Sequence, residues 1–93
     1  MHNRVYHRSA ELMEAELGDE IVALDAQRGE CFGFNDVATA VWRSLGTPKT
    51  FDQLRDELLA AYDVNDEQCS ADLRELLDDF VARGLVAEQP AGN

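Results

Sequence analysis

The stretch Gly29-Glu30-Cys31-Phe32-Gly33-Phe34-Asn35-Asp36-Val37-Ala38-Thr39-Ala40-Val41-Trp42 decides how the chain folds. Glu30 to Phe34 sets Cys31, Phe32 and Phe34 between a glycine and an asparagine, the pattern of a short strand that ends where a helix begins. Asn35 can turn its side-chain oxygen onto free backbone N–H groups of the next turn, and Asp36 puts a negative charge at the positive end of the helix dipole. From there the apolar period changes from two to about 3.6. Val37, Val41 and Leu45 form one row and Ala38 and Trp42 the adjacent row, so a strand feeds directly into a helix whose apolar face packs back over it.

Upstream of this corner, Glu20 to Asp25 holds Ile21, Val22, Ala23 and Leu24 between turn residues and reads as a second strand, joined to the first by Gln27-Arg28-Gly29. Before it, Glu11 to Leu17 roughly alternates, with Met13, Ala15 and Leu17 on one side and Glu14 and Glu16 on the other, and Gly18-Asp19 breaks the run. That alternation predicts a half-buried strand with its apolar residues inward. Three short strands with tight connections make an antiparallel meander in chain order, which leaves Glu30 to Phe34 at an edge. Residues Met1 to Ala10 are mostly polar and are expected to be flexible.

Downstream, the first helix runs from about Asp36 to Leu45 and is stopped by Gly46-Thr47-Pro48. Thr50 and Gln53 form a capping box for a second helix, whose face is Phe51, Leu54, Leu58 and Ala61 or Tyr62. Asn65 and Gln68 repeat the cap signature for a third, which runs to about Arg83 and is closed by Gly84. Its apolar row is Cys69, Leu73, Leu76 and Phe80, widened by Leu77 and Val81. A stripe that wide suits a helix that touches both a core and something else. The expected fold is therefore α+β and winged helix-turn-helix-like: a three-stranded antiparallel sheet followed by three helices. Residues 1–10 form a flexible segment in this reading, 11–87 the folded domain and 88–93 a disordered tail.

A chain of 93 residues suits a single core. Its net charge of −11 disfavours nucleic-acid backbones and anionic membranes as partners and favours a basic or apolar one. No segment resembles a secretory signal or a membrane span, so a cytoplasmic protein is expected. Cys31 and Cys69 fit no metal or redox pattern and read as small buried hydrophobes.

Catalytic chemistry is hard to place. No serine lies in a nucleophile-elbow setting, no phosphate loop is present, and the only histidines are His2 and His7 near the start. Seven carboxylates between Asp63 and Asp79 surround a single Arg74 without calcium-loop spacing, which points to a solvated helix face rather than a metal site. No cofactor is expected. A winged-helix DNA reader would need a basic recognition helix, and here Asp66, Glu67, Asp72, Glu75, Asp78 and Asp79 outnumber Arg74 and Arg83.

The unpaired edge strand, Glu30 to Phe34, offers another mechanism: an extended peptide can add to it through backbone hydrogen bonds while alternate side chains enter the groove beside the third helix. An acidic rim there would favour Lys or Arg in the peptide. The bland alternative, in which the apolar residues are only core and the edge is merely tolerated, stays open on spacing alone.

The ordered set Ile21-Val22-Ala23-Leu24-Asp25, Gly29-Glu30-Cys31-Phe32-Gly33-Phe34-Asn35, Ala38 to Trp42, Tyr62-Asp63-Val64, Asp72-Leu73 and Arg83-Gly84-Leu85-Val86 resembles the PqqD-like family, the RiPP recognition elements. Phe34 stands where the family commonly has Leu. The resemblance implies a non-catalytic domain that binds the leader of a ribosomally made precursor peptide. The leader adds as an antiparallel strand and packs on the third helix, and the domain presents it to modifying enzymes. On this chain the implied contacts are Cys31, Phe32, Gly33 and Phe34 on the strand and Cys69, Asp72, Leu73 and Leu76 on the helix. Among such systems the chain looks most like the small subunit of a lasso-peptide cluster, working beside a transglutaminase-like cysteine protease and an ATP-dependent cyclase. The alternative is the chaperone of pyrroloquinoline quinone synthesis, or of a related radical-SAM system.

Overall fold

A computed structural model describes residues 4–90. In chain order they form β1 (Arg4–Arg8), β2 (Met13–Leu17), β3 (Glu20–Asp25), β4 (Glu30–Phe34), α1 (Asp36–Ser44), β5 (Lys49–Thr50), α2 (Phe51–Ala61), α3 (Asp66–Ala82) and β6 (Val86–Pro90). The meander is present as the antiparallel sheet β2-β3-β4, with β4 at one edge, and the three helices follow it.

The local signals act as their chemistry requires. Asn35 Oδ1 accepts from the Ala38 N–H at 2.8 Å, Thr50 and Gln53 close a reciprocal capping box, and Asn65 Oδ1 accepts from the Gln68 N–H at 2.7 Å. Gly18, Gly29 and Gly84 have positive φ, at the two hairpin turns and at the end of α3, where a Cβ would be strained.

Phe34, Trp42 and Phe80 stack against one another at 5.3 to 6.1 Å between ring centroids. The corner Gly29–Trp42 thus meets α3 through one tilted and one edge-to-face ring contact, both favoured geometries for aromatic pairs. Around them Ile21, Ala23, Phe32, Leu54, Leu73, Leu77 and Leu85 complete one continuous core.

Residues 4–8 and 88–90 correct the expectation of flexibility. Arg4–Arg8 is the central strand of a second sheet, β5-β1-β6, and Tyr6 within it is only 2% exposed. Arg8 stacks over Trp42 at 4.4 Å and donates from Nε and Nη2 to the Trp42 carbonyl. The tail expected from residue 88 onward continues β6 as far as Pro90, with Glu88 facing Tyr6. β1 and β6 lie some eighty residues apart in sequence, and β5 is also far from β1, so neither end shows a local pattern that reads as a hairpin. His7 sits half-buried in β1, its Nδ1 3.1 Å from the Arg8 carbonyl, while His2 and residues 91–93 lie outside the described residues.

Strand β2 is exposed along its whole length rather than half-buried, and its glutamate face, not its apolar face, is the one turned toward α1. Met13 and Leu17 are 66% and 65% exposed, whereas Glu14 and Glu16 point toward α1 and meet Trp42 and Arg43. An indole N–H and a guanidinium at that margin need acceptors, and the two carboxylates supply them. Cys31, read as buried, is exposed, because alternation with the inward Phe32 and Phe34 puts it on the outer face.

Candidate functional site

The edge of β4 follows from the turns that precede it. Gly18-Asp19 is a two-residue turn with Leu17 facing Glu20, and the pair flanking such a turn exchanges both backbone hydrogen bonds. Alternation then directs the Ile21, Ala23 and Asp25 backbones toward β4, where they face Phe34, Phe32 and Glu30. Thr39 Oγ1 locks the same arrangement: it accepts from the Ile21 N–H and donates to the Phe34 carbonyl, at 3.2 Å each. The N–H and C=O groups of Cys31 and Gly33 therefore point away from the sheet, toward an edge that no strand among the described residues occupies.

Beside that edge runs a groove of about 360 Å³. Cys31, Phe32, Gly33 and Phe34 form one wall, Asn35 and Ala38 one end, and Leu76, Asp79, Phe80 and Arg83 of α3 and its cap the other wall. Phe32 and Phe34 are buried beneath their strand, and Leu76 is half-buried, which leaves apolar surface available to a ligand. Arg83 Nε donates to both Asp79 carboxylate oxygens, at 3.1 and 3.0 Å, and its guanidinium lies 5.9 Å from the Phe32 ring. The groove lining thus holds one acid and one base, paired with each other, in place of the expected acidic rim.

Of the residues singled out from sequence, Cys31, Phe32, Gly33, Phe34 and Leu76 come together around this groove. Cys69 and Leu73 lie in the core and Asp72 is on the surface, where it accepts from Gln68 Nε2 at 2.8 Å; none of the three is in the groove lining. Burial, followed by the nearby Asp66 and Asp72, pushes the Cys69 thiol up from its ordinary value and keeps it protonated. Asn35, Ala38, Asp79, Phe80 and Arg83 line the groove without having been expected. Phe80 and Arg83 lie four and seven residues beyond Leu76, a helical spacing that marks them as the same face. Among the described residues no group of three or more His, Cys, Asp or Glu side chains could hold a metal ion, and no helix is long and apolar enough to cross a membrane.

A strand edge with two outward N–H groups, beside a groove of mixed polar and apolar lining closed by a helix, is a peptide-recognition device. The chain belongs to the family of coenzyme PQQ synthesis protein D (PqqD), whose profile matches residues 20–86. Among solved structures it is similar to TbiB1 in complex with the TbiA(β) leader peptide, with 29% identity and a TM-score of 0.75 over 86% of this chain and 93% of that one. It also shares the fold of a lasso peptide synthetase B1 complexed with the leader peptide, at 21% identity and a TM-score of 0.72 over 88% of this chain and 96% of that one. Comparison with curated proteins finds no match.

Proposed function

We propose that this chain binds the leader of a ribosomally synthesised precursor peptide and presents the precursor to modifying enzymes, in a pathway of the lasso-peptide type. The observation that carries the reading is the free edge of β4, with the Cys31 and Gly33 N–H groups directed outward beside the groove. A leader laid antiparallel to β4 gains backbone hydrogen bonds worth about 0.5–1.5 kcal/mol net each. Its residues opposite Phe34 and Phe32 turn their side chains inward, because directly opposed residues share a face. The first meets Leu76, Phe80 and Ala38; the second, two residues later, meets Phe32 and the Asp79–Arg83 pair. Backbone pairing provides affinity and the two inward side chains provide selection.

In this reading the chain contributes binding and orientation, and the chemistry belongs to its partners, a cysteine protease of transglutaminase type and an ATP-dependent cyclase. The family's description favours a second reading, in which the partner is a radical-SAM enzyme and the bound peptide is the precursor of pyrroloquinoline quinone. The test is a fluorescence-polarisation titration with labelled leaders: that of the precursor encoded beside this chain, the TbiA(β) leader, a pyrroloquinoline quinone precursor and a scrambled control. Saturable binding of a lasso leader that Gly33→Pro weakens two- to tenfold supports the proposal. The proline removes one outward N–H, and a Cβ at position 33 meets nothing within 4 Å. Preference for the quinone precursor would transfer the role to the second reading, and full affinity in a folded Gly33→Pro chain would reject strand addition.

A further inference from the structure

The Arg28 side chain ties the β3–β4 turn to the end of α3. Within the turn, Asp25 Oδ1 accepts from the N–H groups of Gln27 and Arg28 at 3.1 and 3.2 Å, and the Gly29 N–H donates to the Asp25 carbonyl at 2.8 Å. This holds the turn in one shape. From it Arg28 reaches across and donates from Nη1 to the Arg83 carbonyl at 2.9 Å, in the last turn of α3, where free carbonyls and the negative end of the helix dipole favour a cation. Its guanidinium is flanked by Asp25 at 3.9 Å and Glu30 at 3.8 Å. It also occupies the space beside Gly84, where a Cβ would come within 3.0 Å of Nη1 and Nη2.

The two elements joined in this way are the two walls of the groove at one end. On the strand side the turn leads directly into Cys31 and Phe32; on the helix side the Arg83 carbonyl belongs to the residue whose guanidinium overlies Phe32. Arg28 itself is not part of the lining. The opposite end of the groove is fixed independently, by Thr39 bridging Ile21 and Phe34 and by the Phe34–Phe80 ring contact. The two ends are therefore set by different contacts.

We infer that Arg28 is a positioning residue that sets the width of the groove beside Phe32, and through it the size of the leader side chain admitted opposite Phe32. The inference rests on the leader-binding reading and adds a determinant of selectivity that does not touch the peptide. A leader antiparallel to β4 places the residue opposite Phe34 first and the residue opposite Phe32 two positions later. Only the second is governed by Arg28.

The test uses the full chain and the fluorescein-labelled leader of the precursor encoded beside it. An alanine scan of the leader locates the two inward positions, and at each of them leucine and tryptophan are compared. The wild-type chain is expected to prefer leucine at the later position by tenfold or more. Arg28→Ala should reduce that ratio to threefold or less and leave the ratio at the earlier position unchanged. An undiminished ratio at the later position, or equal losses at both positions, overturns the inference, because a merely structural loss would not distinguish the two. Should Arg28→Ala fail to fold, Arg28→Gln, which loses the charge and part of the reach, is read by the same rule. A wild-type chain that binds the leader without discriminating at the later position overturns this inference alone. A wild-type chain that binds no leader overturns the leader-binding reading.

Discussion

Trp42 donates its indole N–H to Glu14 Oε2 at 2.8 Å, and together with the Arg43–Glu16 pair this bond turns the glutamate face of the exposed strand β2 toward α1. Trp42 is only 1% exposed, and its nitrogen requires an acceptor at the margin of the core. Glu14→Ala should lower stability by about 1 kcal/mol, which corresponds to roughly 4–8 °C in Tm for a domain of this size. Glu14→Gln keeps an acceptor and should lose less. Thermal melts followed by the fluorescence of the single tryptophan would measure both, and an unchanged Tm for the alanine variant would show that the indole gains nothing from Glu14.

Leu73 and Leu76 stand three residues apart on α3 with different duties. Leu73 is buried in the core, so Leu73→Ala should cost about 2–5 kcal/mol of stability. Leu76 is half-buried on the groove wall, so Leu76→Ala should weaken leader binding several-fold with a much smaller loss of stability. Denaturant unfolding paired with leader titration separates the two, and equal stability losses would remove Leu76 from the binding surface.

The two thiols should react at very different rates. Cys31 is exposed, whereas Cys69 is buried and its thiol is pushed up by that burial. A thiol reagent at neutral pH should label about one cysteine rapidly in the native chain and the second only after unfolding. Mass spectrometry after brief alkylation reads the site directly, and prompt labelling of Cys69 would contradict its burial.

Asn35 has two roles at one position: it caps α1 through the Ala38 N–H and lines the end of the groove. Asn35→Ala should cost about 0.5–2 kcal/mol through the lost cap. Asn35→Asp, which keeps the cap, should preserve stability, and chemical denaturation of the pair isolates the capping contribution.

Glu57 provides a test in acid. The hydrogen bond from Ser44, with a further hydrogen bond and ion pair from Lys49, holds its carboxyl below the ordinary glutamate value despite partial burial. Its contribution to stability is therefore complete above the unfolded-state value and disappears as pH falls through the lowered folded value. The side chain is half-exposed, so the effect is small. Glu57→Gln should flatten that part of the stability-against-pH curve, and an unaltered slope would show that the Ser44–Glu57–Lys49 contact does not persist in solution.

The corner from Gly29 to Trp42 was legible because its signals are local: alternation, an asparagine cap, then helical spacing. The same holds for the caps at Thr50 and Asn65. The second sheet was hidden because Val5 pairs with Thr50 on one side and Gln89 on the other, and no short window contains either partner. Strand β2 misled because the alternation of Met13, Ala15 and Leu17 with Glu14 and Glu16 fixes two faces without saying which is inward. That choice was made by the donors on α1. In the groove, the strand residues followed from the edge argument, whereas Asp79 and Arg83 were read only as surface charge and prove to be paired on its wall.

The pairing of Arg4 with Pro90 has a consequence for how such a unit can be wired into larger architectures. The polypeptide enters and leaves by neighbouring strands of β5-β1-β6, a different sheet from the one that offers its edge to a peptide. A host chain could therefore receive the whole unit within one of its loops, its two cut ends meeting entry and exit points that lie side by side. By the same geometry a short linker could join residues 4 and 90 and new ends could be opened elsewhere, leaving β4 and α3 intact.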